Sequence, residues 1–263
     1  MSSSASLVAS LVGLLLLSGA ACAPGQTSLE GDSAEEDSAA SSAPRRLLLC
    51  QQGLSDRTTG WDKGLFAVCL AAEDAGIEVI WDGEYPAFGA LNEKGAYRAL
   101  FETLDENGDG EVDGDDSPAD IHLVGFSWGG KNISDIAERL RKDLRVSASH
   151  SIVKAMVLFD PYQPQAWQVN VPNNVRNAWV YRQSETTDGD CSMTVSLGFG
   201  FNGLEPHVKS PASTHCAQYD LDRFLGEVGH CDTPSVARSA ALHNLTTLSD
   251  YPEWAQNAEG CSN

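Results

Sequence analysis

Positive charge is scarce in this chain. Seventeen Lys and Arg stand against 37 Asp and Glu, a formal net charge of −20. That balance excludes recruitment by charge to nucleic acid or to an anionic membrane surface. It suits a well-solvated surface in a salty or calcium-containing medium. The seven cysteines include no C-x-x-C pair, so the spacing of a structural zinc site is missing. Long apolar runs are missing too. The stretch Leu7–Ala21 is shorter than the ~20 residues that span a bilayer. No internal repeat and no second domain is visible. A length of 263 residues, 42% hydrophobic, provides for one α/β domain and a tail.

Residues 1–21 read as a targeting segment whose apolar core ends in Gly19-Ala20-Ala21-Cys22. Small residues before a cysteine resemble the lipobox of bacterial lipoproteins. That resemblance implies lipidation of Cys22 and attachment to a membrane, periplasmic or at the cell surface, by the lipid anchor only. The competing boundary is ordinary signal cleavage after Ala21-Cys22-Ala23, giving a secreted protein. Both routes are export. Residues 22–45 are Ser, Ala, Gly, Glu and Asp with almost nothing apolar, and the expectation is a disordered tether. The six remaining cysteines, in an exported chain, imply disulfides. Cys191, Cys216, Cys231 and Cys261 lie in a loop-rich third and are the expected partners. Cys50, ending a strand, and Cys69, within a helix, read equally as buried free thiols.

The folded domain is expected over residues 46–263. Strands are expected at Arg46–Cys50, Ile77–Trp81, Asp120–Val124, Val153–Phe159 and Val175–Tyr181. Helices are expected at Gly64–Ala75, Glu93–Leu104, Gly130–Arg141 and Ser235–Leu248. Alternation of this kind implies a mainly parallel sheet flanked by helices on both faces. Within it stands Gly125-Phe126-Ser127-Trp128-Gly129, a G-x-S-x-G between an apolar strand and an amphipathic helix. Strand, sharp turn and helix around that motif resemble the nucleophile elbow of the α/β-hydrolases, and the resemblance extends from about Arg46 to Leu248.

The resemblance implies a Ser-acid-His order, with each residue at the carboxyl end of a strand. Ser127 is the candidate nucleophile. Asp160, after Val157-Leu158-Phe159, is the candidate acid, with Glu185, Asp188 and Asp190 as alternatives. His230, in Gly229-His230-Cys231-Asp232 before the last helix, is the candidate base, with His215 second. His122 lies inside a strand and reads as structural. The oxyanion hole is expected from the amides of Trp128 and of Leu54, the latter in a Gln51-Gln52-Gly53-Leu54 turn similar to the family's His-Gly-x turn. The segment Thr186–Ser213 carries Met193, Val195, Leu197, Phe199 and Phe201. It is open to two readings, an apolar lid or a disulfide-tied surface loop.

Residues 105–116 match an EF-hand loop. Asp105, Asn107 and Asp109 stand at positions one, three and five, Gly110 at six, and Glu111 offers its carbonyl. Asp113 follows at nine, and Asp116 replaces the usual Glu at twelve, as in dockerin-like loops. The expected cofactor is a structural Ca2+, because no second helix follows. The function expected is cleavage of a small-molecule or lipid ester or thioester by an exported serine hydrolase. Acyl transfer would use the same residues. The other class is a catalytically inactive, calcium-binding interaction module. Oligomeric state is left open.

Overall fold

The computed structural model describes residues 44–53, 64–81, 93–163, 166–184 and 203–262. The targeting segment, Cys22 and most of the tether lie outside them. So do Leu54, Glu185, Asp188, Asp190, Cys191 and the apolar residues 193–201. The strands are β1 (Arg45–Gln51), β2 (Glu78–Trp81), β3 (Ala119–Phe126), β4 (Val153–Phe159), β5 (Gln168–Val171), β6 (Val175–Arg182), β7 (Glu205–Val208), β8 (His215–Asp220) and β9 (Glu259–Gly260). The helices are α1 (Gly64–Asp74), α2 (Glu93–Leu104), α3 (Trp128–Lys142), α4 (Leu221–Leu225), α5 (Thr233–Val236) and α6 (Arg238–Thr247).

Seven strands form one sheet in the order β2-β1-β3-β4-β6-β8-β9. All neighbouring pairs are parallel except β8–β9. The central strands are buried on both faces, so alternate residues enter opposite cores. Leu47, Leu49, Ile121, Leu123, Met156, Leu158, Ala178 and Val180 pack with α2 and α3. Leu48, Cys50, Val124, Phe126, Val157, Phe159, Trp179 and Tyr181 pack with α1 and α6. This is the expected α/β class, a mainly parallel sheet with helices on both faces, and its elbow between β3 and α3 is that of the α/β-hydrolase fold. The chain leaves β1 to one side for β2 and returns on the other for β3. The carboxyl ends of β1 and β3 therefore flank a topological switch point, the place where open α/β sheets form their crevice.

Three expectations on elements are corrected. Cys50 and Cys69 are not free thiols but bonded to each other, with 6.6 Å between Cα atoms. Both side chains lie on the same side of the sheet, at the β1–α1 contact, which brings them within reach. The last helix is two, α5 and α6, broken at Ala237. The end of the Thr186–Ser213 segment contains β7, which pairs in parallel with β5 in a separate two-stranded sheet. Cys216 is bonded to Cys261, and Cys231 is also in a disulfide.

Candidate active site

The elbow is built by backbone. Ser127 has φ 55° and ψ −127°, a conformation that costs a side-chain-bearing residue free energy. It is held by its amide donating to Phe159 O at 2.9 Å, and by its carbonyl accepting from the amides of Gly130 and Tyr162 at 3.0 and 2.9 Å. Gly129 is required by close approach, since a Cβ there would lie 2.2 Å from the Gln51 carbonyl oxygen. Gly53 likewise abuts the serine: its Cβ would lie 2.6 Å from that of Ser127. The turn after β1 is thus pressed against the elbow from the other side of the switch point.

Asp160 follows β4 immediately and also has positive φ, 40°. Among the described residues only Ser127, Asp160 and Leu248 combine a side chain with positive φ, and Leu248 ends a helix. Strain at two candidates for one site is what functional geometry produces. His230 opens a short 3-10 turn after Gly229. Its Nε2 lies 2.9 Å from Ser127 Oγ and its Nδ1 is hydrogen-bonded to Asp160 Oδ2. The structure therefore brings Ser127, His230 and Asp160 into one hydrogen-bonded chain. All three are buried, and Asp160 has no exposed surface. The His230 ring rests on Phe126, with centroids 4.8 Å apart. The second carboxylate oxygen of Asp160 accepts from the backbone amide of Gln183 at 3.0 Å. Such an arrangement can take a proton from Ser127 and stabilise the imidazolium that results.

The competing histidines are elsewhere. His215 begins β8, at the amino end of the sheet, and bonds Asp250 Oδ1 at 2.8 Å. His122 is buried within β3 with neither ring nitrogen hydrogen-bonded. The amide of Trp128 is the first of α3 and has no acceptor within the helix, so it is free to receive an oxyanion. Gln183 contributes through its backbone, and so no residue-type pattern marks it in the sequence.

The loop 105–116 has its acceptors turned inward. Asp105 accepts from the amides of Gly108 and Gly110, Asn107 from Asp109, and Asp109 from Glu111. Asp116 is buried and accepts from Glu106 and Asp113 at 2.8 and 3.0 Å. Gly108 and Gly110 take φ 74° and 88°. Val112 is fully buried and forms a bridge with Val146, in the turn after α3. Among the described residues no three His, Cys, Asp or Glu side chains are drawn together as a metal cluster. Carboxylate and amide oxygens keep a second lone pair beside each of these amide bonds. The hard oxygens, the glycine turns and the apolar plug are the donor and turn types of an EF-hand loop, here with the oxygens engaged by the loop's own amides.

No protein-family model matches the chain, and no curated protein does. Solved structures resemble it at low identity. A protein assigned as a hydrolase of the alpha/beta superfamily from Xanthomonas campestris is 15% identical, covering 78% of this chain and 98% of its own, with a TM-score of 0.40. Est1E from Butyrivibrio proteoclasticus is 12% identical, over 76% and 86%, with a TM-score of 0.38. A hyperthermophilic esterase from the archaeon Pyrobaculum calidifontis is 13% identical, over 80% and 79%, with a TM-score of 0.37.

Proposed function

We propose that the protein is an exported serine hydrolase that cleaves a carboxylic ester or thioester of a small molecule or lipid. The observation that carries this reading is the chain Ser127 Oγ–His230–Asp160, set on a strained elbow at the switch point of the sheet. In this reading Ser127 attacks the acyl carbonyl while His230 Nε2 takes its proton, and Asp160 holds the ring through Nδ1–H. The amides of Trp128 and Leu54 receive the oxyanion. Collapse of the tetrahedral intermediate breaks the ester bond, and His230 returns the proton to the leaving alcohol or thiol. Water, deprotonated by the same ring, then attacks the acyl-serine; collapse breaks the acyl–Oγ bond, His230 returns the proton to Ser127 Oγ, and the carboxylic acid leaves.

Calcium belongs to the proposal as a structural ion. Asp105, Asn107, Asp109, Asp113 and Asp116 would hold it through side-chain oxygens and Glu111 through its carbonyl. When bound it supplies a cross-link between the end of α2 and the start of β3. Export is compatible with the disulfides, which persist in oxidising compartments, and lipidation at Cys22 is carried by the lipobox-like sequence alone. Among the described residues no helix is long and apolar enough to cross a membrane.

The test is covalent labelling by a fluorophosphonate, with Ser127→Ala and His230→Ala alongside. The expected result is labelling of the native protein, none of Ser127→Ala, and a loss of two or more orders of magnitude in rate for His230→Ala. A folded native protein that takes no label overturns the reading.

A further inference from the structure

Asp160 and His230 come from chain segments far apart in sequence, and something must hold those segments in register. The acid is fixed at the end of β4; of its partners, one lies past the end of a strand and the other heads a three-residue 3-10 turn. Gln183, whose amide binds Asp160 Oδ1 at 3.0 Å, lies just past the end of β6. His230 lies past α4, on a connection that contains Gly226 (φ 87°) and Gly229. Glycine-containing connections cost more entropy to order, and a histidine at the end of one needs an anchor close by.

Beside the disulfide of Cys231, one carboxylate ties this connection to the strand end that carries Gln183. Asp222, in the first turn of α4, accepts the amide of Ser184 at Oδ2, 2.8 Å, and the amide of Val228 at Oδ1, 2.9 Å. Ser184 is the residue after Gln183, and Val228 is two residues before His230. The hydrogen bonds close a ring: Asp160 to the Gln183 amide, along the chain to Ser184, across Asp222 to Val228, along the chain to His230, and through Nδ1 back to Asp160. A carboxylate is the group suited to this place. It presents two acceptor oxygens to two amides at once, and bonds to an ionised acceptor are shorter and stronger than neutral ones.

We infer that Asp222 is a positioning residue, which sets the distance between His230 and Asp160 by clamping the two loops that carry the acid's amide donor and the histidine. It does not reach the reacting atoms itself. The inference rests on the serine-hydrolase reading for its kinetic consequence, though the ring of bonds exists whatever the site does.

Two variants test it. Asp222→Ala removes both acceptors. Asp222→Asn keeps the shape and one acceptor, while its NH2 meets an amide donor and can accept nothing. The expected order of fluorophosphonate labelling rate is native, then Asn, then Ala, with Ala down at least ~10-fold under conditions where it is fully folded; displacement of about an ångström at a catalytic group can cost up to ~100-fold. With an ester substrate the loss falls on kcat and leaves KM unchanged. A second readout is the far-downfield proton NMR signal of the His230 Nδ1–H bonded to Asp160, expected in the native protein and lost or broadened in Asp222→Ala. Should Asp222→Ala fail to fold, Asp222→Asn decides by the same two readouts. Labelling at the native rate with the downfield proton intact overturns the inference, as does a loss that tracks only the folded fraction. If the native protein takes no label, the hydrolase reading fails, and the downfield proton alone decides whether Asp222 holds the pair.

Discussion

Strand β3 carries two polar side chains that the sheet treats in opposite ways. Ser127, just past its end, is held at positive φ and paired with His230. His122, in its middle, is 1% exposed with no hydrogen bond to either ring nitrogen. Burial, foremost, pushes the His122 pKa down from 6.5 to about 4, so the ring is neutral at pH 7. Between those two values the unfolded chain takes a proton that the folded chain refuses. The corresponding stability is complete above pH 6.5 and is lost as the pH falls towards 4, on the order of 3 kcal/mol at 1.36 kcal/mol per unit. His122→Leu should therefore flatten the stability curve between pH 6.5 and 4. At pH 7 it should leave stability unchanged or raised, since an apolar group replaces two unpaired polar atoms. Urea unfolding at stepped pH checks this; identical pH curves for the two proteins would sink it. Asp160 poses the opposite case, a buried acid with each oxygen bonded. Asp160→Asn keeps the volume but cannot fix the His230 tautomer. Labelling by fluorophosphonate should slow by about 10^3-fold or more while the melting temperature moves little.

Elements with continuous apolar runs were the legible ones, because a strand buried on both faces has no place for polar residues. Leu47-Leu48-Leu49 and Val157-Leu158-Phe159 are such runs, and each lies in the expected strand. Strand β8, His-Cys-Ala-Gln-Tyr-Asp, is interrupted by polar residues and pairs on its outer side only with the two-residue β9. β5 and β7 have four residues each, too few for a pattern. The break at Ala237 has no glycine or proline to announce it. Ser127 and Asp160 were legible because each stands where an apolar run meets a turn, and His230 because it follows a glycine in the turn before the last helix. The amide of Gln183 was not, since a backbone donor is the same in every residue. Elements also decide which covalent ties matter. Cys216–Cys261 closes 45 residues and anchors β9 to β8. Chain-entropy arguments give about 4 kcal/mol for such a loop. Replacing both cysteines by serine should lower stability by a comparable amount, read by denaturant unfolding. Gly129→Ala should be worse for the site than for the sheet: its methyl meets the Gln51 carbonyl, so the β1 turn must move off the elbow. A protein that still melts cooperatively but no longer takes the label is the expected outcome.

The whole molecule separates its chemistry from its proposed metal. The acidic loop leads into the start of β3 and Ser127 follows its end. Seven steps from Asp120 to Ser127 at about 3.3 Å each put some 23 Å between the two. A calcium ion at that loop therefore cannot touch the reacting carbonyl. Its effect must be on stability, and this chain has reason to gain from it, because a net charge of −20 repels itself in the compact state. Free calcium at a hundred times its dissociation constant adds about 2.7 kcal/mol. For a domain of this size that is about 5–10 °C in melting temperature. Chelation should lower the melting temperature by that order, and below the new transition the labelling rate of Ser127 should stay as it was. Sodium chloride at matched ionic strength should restore only the part due to general screening. Asp109→Ala should abolish the remainder and make the protein indifferent to chelator. Loss of labelling in chelated protein that is still folded would mean that the loop does reach the site, through Val112 and the turn after α3 that it holds. An unchanged melting temperature would mean that the loop's amide bonds alone complete it.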